Sequence, residues 1–155
     1  MGPIYPTNRF VAVLLLVSAA LVGAQTKPSG SPSLLVTQRW HVHVVNNLNN
    51  NFLDVHCKSK DDDLGYQRLV RGADFQWSFK VNFWGTTLFW CNLHKPGAYV
   101  TFEVFWPESR NAWLRNRCHN GTEGHCIWTA KDDGIYLRNI PTNSEELIHK
   151  WISLK

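Results

Sequence analysis

Across residues 74–82 the chain alternates without a break. Phe75, Trp77, Phe79 and Val81 fall on one side and Asp74, Gln76, Ser78 and Lys80 on the other. Successive side chains of a strand point to opposite faces, so this run reads as a strand with one dry and one wet face. The same period recurs along the chain. Trp40, Val42 and Val44 alternate with His41, His43 and Val45, and Leu53, Val55 and Cys57 alternate with Asp54 and His56. Within residues 125–131, Cys126, Trp128 and Ala130 share a side. Residues 86–92 and 98–106 are rich in β-branched and aromatic types, and 134–138 is a further short strand. The Asp133-Gly134 step predicts a tight hairpin with a primed turn and positive φ. The Asn-rich stretch 46–51 and the HKPG stretch 94–97 read as turns. Residues 144–151 fit either a capped helix or a strand that puts Leu147 with Trp151, and the strand is favoured. The expected fold is all-β: a small antiparallel two-sheet β-sandwich of about seven or eight strands.

The first 24 residues carry a different signal. A lead without acids reaches Arg9, followed by 13 apolar or small residues, 10–22. That run is too short to span a bilayer, which takes about 20 residues. It fits the apolar core of a secretory signal peptide, with Val22-Gly23-Ala24 supplying small residues for cleavage after Ala24. Residues 25–33 are polar and Pro/Gly/Ser-rich and open a flexible leader expected over 25–37, with the sandwich domain over 38–155. No later stretch reaches membrane length, so no membrane insertion is expected.

An oxidising destination changes the meaning of the four cysteines, Cys57, Cys91, Cys118 and Cys126. Their spacing does not match a paired C-x-x-C zinc site, and an even count in a secreted chain reads as two disulfides. Three connectivities are open. The nested one, Cys57 with Cys126 and Cys91 with Cys118, is preferred among them.

Composition narrows the function classes. The formal charge is +4, and without Arg9 the expected mature chain has 15 Lys and Arg against 12 Asp and Glu, or +3. The basic residues are scattered, so no nucleic-acid footprint is present. Eight Trp residues all lie beyond the leader. Those within strand patterns (Trp77, Trp90 and Trp128) are read as core, while Trp84, Trp106 and Trp113 lie near loops or strand ends. The chain lacks a G-x-S-x-G elbow and a phosphate-binding Gly loop, so no enzyme activity and no cofactor are expected.

Several stretches together resemble a known family. They are Asn47-Leu48, Leu53-Asp54-Val55-His56-Cys57-Lys58-Ser59, Asp61-Asp62-Asp63-Leu64-Gly65 and Phe75-x-Trp77-x-Phe79. Asn82-Phe83, Thr87-Leu88-Phe89-Trp90-Cys91, Cys118, Cys126-x-Trp128 and Asp133-Gly134-Ile135-Tyr136-Leu137 follow in order. The pattern resembles the plant self-incompatibility S-protein family over about residues 40–151. The resemblance implies a small secreted plant protein, a two-sheet β-sandwich and two disulfides. In founding members it implies a stigma ligand perceived by pollen, with recognition on exposed loops and no catalytic residues to carry over. The chain departs from the family after Phe105, where Trp106-Pro107-Glu108-Ser109-Arg110 replaces a more acidic stretch.

The expected role is therefore an extracellular signalling or recognition ligand, a monomer acting on a cell-surface protein or receptor. The alternative is a carbohydrate-binding cell-wall module. Candidate partner-binding residues are Asp61, Asp62 and Asp63; Trp106, Arg110, Trp113, Arg115 and Arg117; and Glu123. Three adjacent acids do not give the spread ligands of a Ca²⁺ loop. His41 and His43 share a strand face and could join His56 at a zinc ion, but no fourth ligand is evident, so no metal is expected. Asn120-Gly121-Thr122 is the one N-x-S/T sequon, which makes Asn120 the expected glycosylation site.

Overall fold

The computed structural model describes residues 38–119 and 121–155. The expected signal peptide and leader, and the sequon residue Asn120, lie outside the described residues. The strands are β1 (Arg39–Asn46), β2 (Leu53–Ser59), β3 (Asp63–Leu69), β4 (Asp74–Lys80), β5 (Phe89–Lys95) and β6 (Ala98–Phe105). A one-turn helix α1 (Arg115–Cys118) precedes β7 (Gly124–Lys131), β8 (Gly134–Asn139), β9 (Ser144–His149) and β10 (Ile152–Ser153). They make two five-stranded sheets, ordered β4-β1-β7-β8-β9 and β10-β6-β5-β2-β3. Every pairing is antiparallel except β1 with β7, which is parallel.

The expected all-β sandwich is thus present, but with ten strands instead of seven or eight. The difference lies mainly at β3 and β10. β3 (DLGYQRL) is an edge strand with Tyr66, Gln67 and Arg68 exposed, so it has no dry face to produce alternation. Its pairing with β2 defines it, and Arg68 forks onto the Asp54 carboxylate across that pair at 2.6 and 2.9 Å. β10 is two residues long and adds to the outer edge of β6. The run with the cleanest alternation, β4, is also an edge strand. Phe75, Trp77 and Phe79 are only half-buried there.

The core lies between the sheets. Trp40, Val42 and Val44 from β1 and Cys126, Trp128 and Ala130 from β7 point inward. They meet Val55, Cys91, Leu93, Phe102 and Val104 from the other sheet. Trp128 is 1% exposed, and its indole Nε1 donates to the Val104 carbonyl at 3.0 Å, so its one polar atom is satisfied across the core. Trp40 against Phe105 (4.9 Å between centroids) and Phe79 against Phe89 (4.6 Å) close one end of the layer. Trp77 packs half-buried against the core from the edge strand β4, 5.6 Å from Phe89 by ring centroid, whereas Trp90 alternates outward between the buried Phe89 and Cys91 and does not join Trp128.

The disulfides differ from the nested pairing. Cys57 bonds Cys91 and Cys118 bonds Cys126. The strand register is the reason: Cys57 on β2 and Cys91 on β5 are direct cross-strand partners in the same sheet. Cys118 ends α1 beside β7, with its Cα 4.7 Å from that of Cys126.

The two ends of the sandwich differ. At one end β1–β2, β3–β4, β5–β6 and β7–β8 turn, and Asn46 ties the first two of these connections together. Its amide donates to the carbonyls of Asn51 (3.0 Å) and Leu69 (2.9 Å) and accepts from the Leu48 amide (3.0 Å). Its backbone exchanges hydrogen bonds with Ala73 and Gly72. The β7–β8 hairpin forms over Asp132 and Asp133, but neither of them nor Gly134 has positive φ. A glycine is required at 134 for space, because a Cβ there would strike the His149 carbonyl and Leu147.

Candidate recognition surface

Strand register gathers the longer loops at the opposite end. Arg39 lies against Lys80 and Trp40 against Gly124, while Ser59 lies against Phe89 and Phe89 against Phe105. The connection 60–62, the β4–β5 loop 81–88, the segment 106–114 and the approach to β7 therefore emerge side by side.

The 81–88 loop carries Phe83 and Trp84, which are 88% and 80% exposed. Their rings meet edge to face at 5.3 Å. The loop beneath them is closed by its own polar groups. The Asn82 side chain accepts from the Thr86 amide (2.8 Å) and donates to the Thr86 hydroxyl (2.9 Å), and its backbone N–H donates to Thr87 Oγ1 (2.9 Å). Gly85, at φ 61°, returns its N–H to the Asn82 carbonyl at 2.9 Å. Ser109 Oγ donates to the Gly85 carbonyl (3.1 Å) and links this loop to the next. Two large aromatics are thus held in water by an ordered turn.

Beside them runs a cleft of about 450 Å³ with Asp61 and Asp62 on one wall, Asn82 and Thr86 on another, and Trp90 at its side. Asp61 and Asp62 are set by Ser59, whose hydroxyl accepts both of their amides at 3.2 and 2.9 Å. That leaves both residues exposed at the rim. Asp63 is engaged differently. It accepts from the Gly65 amide (2.9 Å) and pairs with His56 Nε2 (2.7 Å), and these contacts hold its carboxyl below the ordinary value. It opens β3 and is occupied within the fold.

The 106–117 segment is folded onto itself. Trp106 and Trp113 stack at 6.0 Å, Trp106 Nε1 donates to the Asn111 carbonyl (3.2 Å), and Leu114 is fully buried. The three basic residues proposed for a partner each have a carboxylate of this chain. Arg110 meets Glu103 at 2.7 Å, Arg115 meets Glu108 at 3.0 Å and Arg117 meets Glu146 at 2.7 Å. The Arg117 guanidinium also lies 4.0 Å from the Trp113 ring centroid. Its hydrogen bond, with a second from Asn139, keeps the Glu146 carboxyl below its ordinary value. With β6 and His149, the two indoles flank an apolar groove of about 530 Å³.

Glu123 belongs to a third grouping. On the outer face of the β1–β7 pair, His41 stands in register with His125, their rings parallel within 6° at 4.6 Å. His43 follows, 5.9 Å from His125 by ring centroid, with Nδ1 on Asp74 at 2.8 Å. Glu123 reaches 3.3 Å from His41 Nε2 and 3.9 Å from His125 Nε2. Burial, and then His41 and His43, push the His125 ring below its ordinary pKa, with Glu123 opposing them. His56 is not part of this row, since it lies on β2 in the other sheet, stacked on Tyr66.

Sequence reasoning missed Phe83 and His125, and placed Trp84 near a loop without making it a candidate. The two aromatics were signalled only by their place between strands, and His125 by nothing local, because a parallel pairing joins positions far apart in the chain.

The model of the family described as plant self-incompatibility protein S1 matches residues 41–151. S-protein homolog 1 of Arabidopsis thaliana is 42% identical over 113 residues, 72% of this chain and 71% of that protein. S-protein homolog 74 of the same plant is 39% identical over 115 residues, 74% and 72% of the two chains. A solved structure of self-incompatibility protein homologues, described as a widespread family of small, highly stable, secreted proteins from plants, shares the fold. Its TM-score is 0.58 at 20% identity, over 76% of this chain and 97% of that one. On the extent of the family match and the identity of these relatives, the chain belongs to the plant self-incompatibility S1 family, as an S-protein homologue.

Proposed function

We propose that this protein is a secreted extracellular recognition ligand whose loop end docks onto a cell-surface protein. The observation that carries the reading is the Phe83–Trp84 pair, exposed on a loop whose shape is set by its own hydrogen bonds. Aromatic anchors of this kind concentrate binding energy, and a preorganised loop loses little entropy when it docks. The acidic rim at Asp61 and Asp62 adds charge beside the anchor and favours a partner with an apolar pocket flanked by basic groups. The signal-peptide pattern of residues 1–24 and the description of the structural neighbour as secreted support the extracellular placement. Residues 106–117 support the anchor loop through Ser109, and their arginines are already paired within the chain. The protein acts as a monomer in this reading, without cofactor or catalysis.

The test is saturable binding of labelled protein to plant protoplasts. The double substitution Phe83→Ala, Trp84→Ala is expected to weaken it by at least about tenfold. Both side chains are in solvent, so the thermal midpoint should stay unchanged. Undiminished binding would sink the proposal.

A second reading, a carbohydrate-binding cell-wall module, draws on the groove flanked by Trp106 and Trp113. It predicts retention on a polysaccharide column that Trp113→Ala abolishes and Trp84→Ala leaves intact.

A further inference from the structure

We propose that His41, Glu123 and His125 form a binding site for a zinc-class divalent metal ion on the outer face of the β1–β7 pair. The ligand atoms of the three residues all lie within 4.8 Å of one another. Tetrahedral zinc with bonds of about 2.0–2.1 Å holds its ligands roughly 3.3 Å apart. Glu123 stands 3.3 Å from His41 Nε2 and 3.9 Å from His125 Nε2, near that spacing, while the two rings, now parallel at 4.6 Å, would tilt toward each other to converge on the ion. The site is built on backbone geometry. Parallel register puts His41 and His125 directly side by side on two interior strands of the sheet, and Glu123 immediately precedes β7.

A second observation points to a ligand. His41 Nε2 is buried and has no hydrogen-bond partner among the described residues, since the Glu123 approach falls outside hydrogen-bond geometry. A buried ring nitrogen without a partner is costly to leave unpaired, and a metal ion would engage it. Two imidazoles and one carboxylate match the donor set of zinc and its neighbours, whereas calcium and magnesium take oxygen ligands. Three protein ligands leave a fourth position for water or for a donor from another molecule. Asp74 stands beside the site, bonded to His43 Nδ1 at 2.8 Å, and orients the next ring in the row. The site is independent of the docking surface argued above, and neither needs the other to hold.

The experiment is calorimetric titration of ZnCl₂ into the disulfide-bonded protein, prepared without a histidine tag. One ion per chain is expected. His125→Gln and Glu123→Gln should each weaken binding by at least about tenfold. His94→Gln, at an exposed histidine on the other sheet, should leave it unchanged. Ring-nitrogen NMR gives a second readout that needs no substitution: zinc should shift His41 and His125 and leave His56 and His94 in place. Absence of binding at 100 μM zinc (a concentration on the order of weak adventitious sites) would overturn the proposal. So would wild-type affinity in both variants, or shifts confined to other histidines.

Discussion

Asn46 is a fully buried amide among apolar neighbours, and it is tolerated because all of its hydrogen-bonding groups on this face are used. Removing the side chain strands the carbonyls of Asn51 and Leu69 and the amide of Leu48. Asn46→Ala is therefore expected to cost about 2–4 kcal/mol, from the desolvation of unpaired buried groups, as measured by urea unfolding. Gly124 is a second constraint at this scale. It lies opposite Trp40 in the parallel register, and a Cβ there would run into the indole ring. Gly124→Ala should displace Trp40 from Phe105 and cost about 1–3 kcal/mol, the range for an overpacked core. The near-ultraviolet circular dichroism should change with it. A stability within error of wild type would mean that Trp40 has room to move. The sequence showed both positions but not their importance. An asparagine in an Asn-rich turn and a glycine in a polar stretch look like ordinary loop residues until the opposing strands are placed.

At the scale of elements, the two disulfides have different work. Cys57–Cys91 closes a span of 34 residues inside one sheet, and Cys118–Cys126 closes 8 residues and fixes α1 to β7. On the loop-entropy model they are worth about 4 and about 2.5 kcal/mol. Replacing Cys57 and Cys91 together by alanine should lower global stability by roughly the larger amount. Replacing Cys118 and Cys126 should lower it less and loosen residues 106–118 selectively. Amide hydrogen exchange distinguishes these outcomes, because faster exchange confined to that segment is expected only for the second pair. Uniform exchange changes in both variants would count against the division. The connectivity itself was not legible in the spacing, because any of three pairings could close a loop. Register decides it, by bringing Cys57 to Cys91. Strand content shows the same limit. Strands with a buried face declared themselves by alternation, whereas β3, buried only at Leu69, declared nothing.

At the scale of the molecule, ionisable groups couple the fold to pH. Burial pushes His149 below its ordinary pKa, and burial with neighbouring imidazoles does the same for His125. Both bind a proton more readily once unfolded. Stability is therefore full above about pH 6.5, the unfolded histidine value, and declines as pH falls through the lower folded values. Hydrogen bonds hold the carboxyls of Asp54, Asp63, Asp133 and Glu146 below their ordinary values. Their stabilisation is present above about pH 4 and is lost as pH falls through the folded values. Scanning calorimetry should show a thermal midpoint that is level from pH 8 to 7 and then falls in two steps. His149→Gln should reduce the first step. A midpoint that rises between pH 7 and 5.5 would contradict this account.

Local patterns along the chain carry the class of the fold, the family, the positions of most strands and the four cysteines as bonded pairs. Each of these depends on local chemistry: the two-residue period of a strand, the residue types around the cysteines, and the order of short motifs. The candidate sites were legible only in part. Asp61, Asp62 and the 106–117 segment do gather at one end, but Asp63 and the three arginines are held by partners within the chain. Tertiary structure alone decided the cysteine pairing, the exposure of Phe83 and Trp84, and the meeting of His41 with His125. These depend on which strand lies beside which, and in what register, for residues that the chain order keeps far apart. The energy that sets that register comes from burying both sheets at once, which no local stretch of sequence contains.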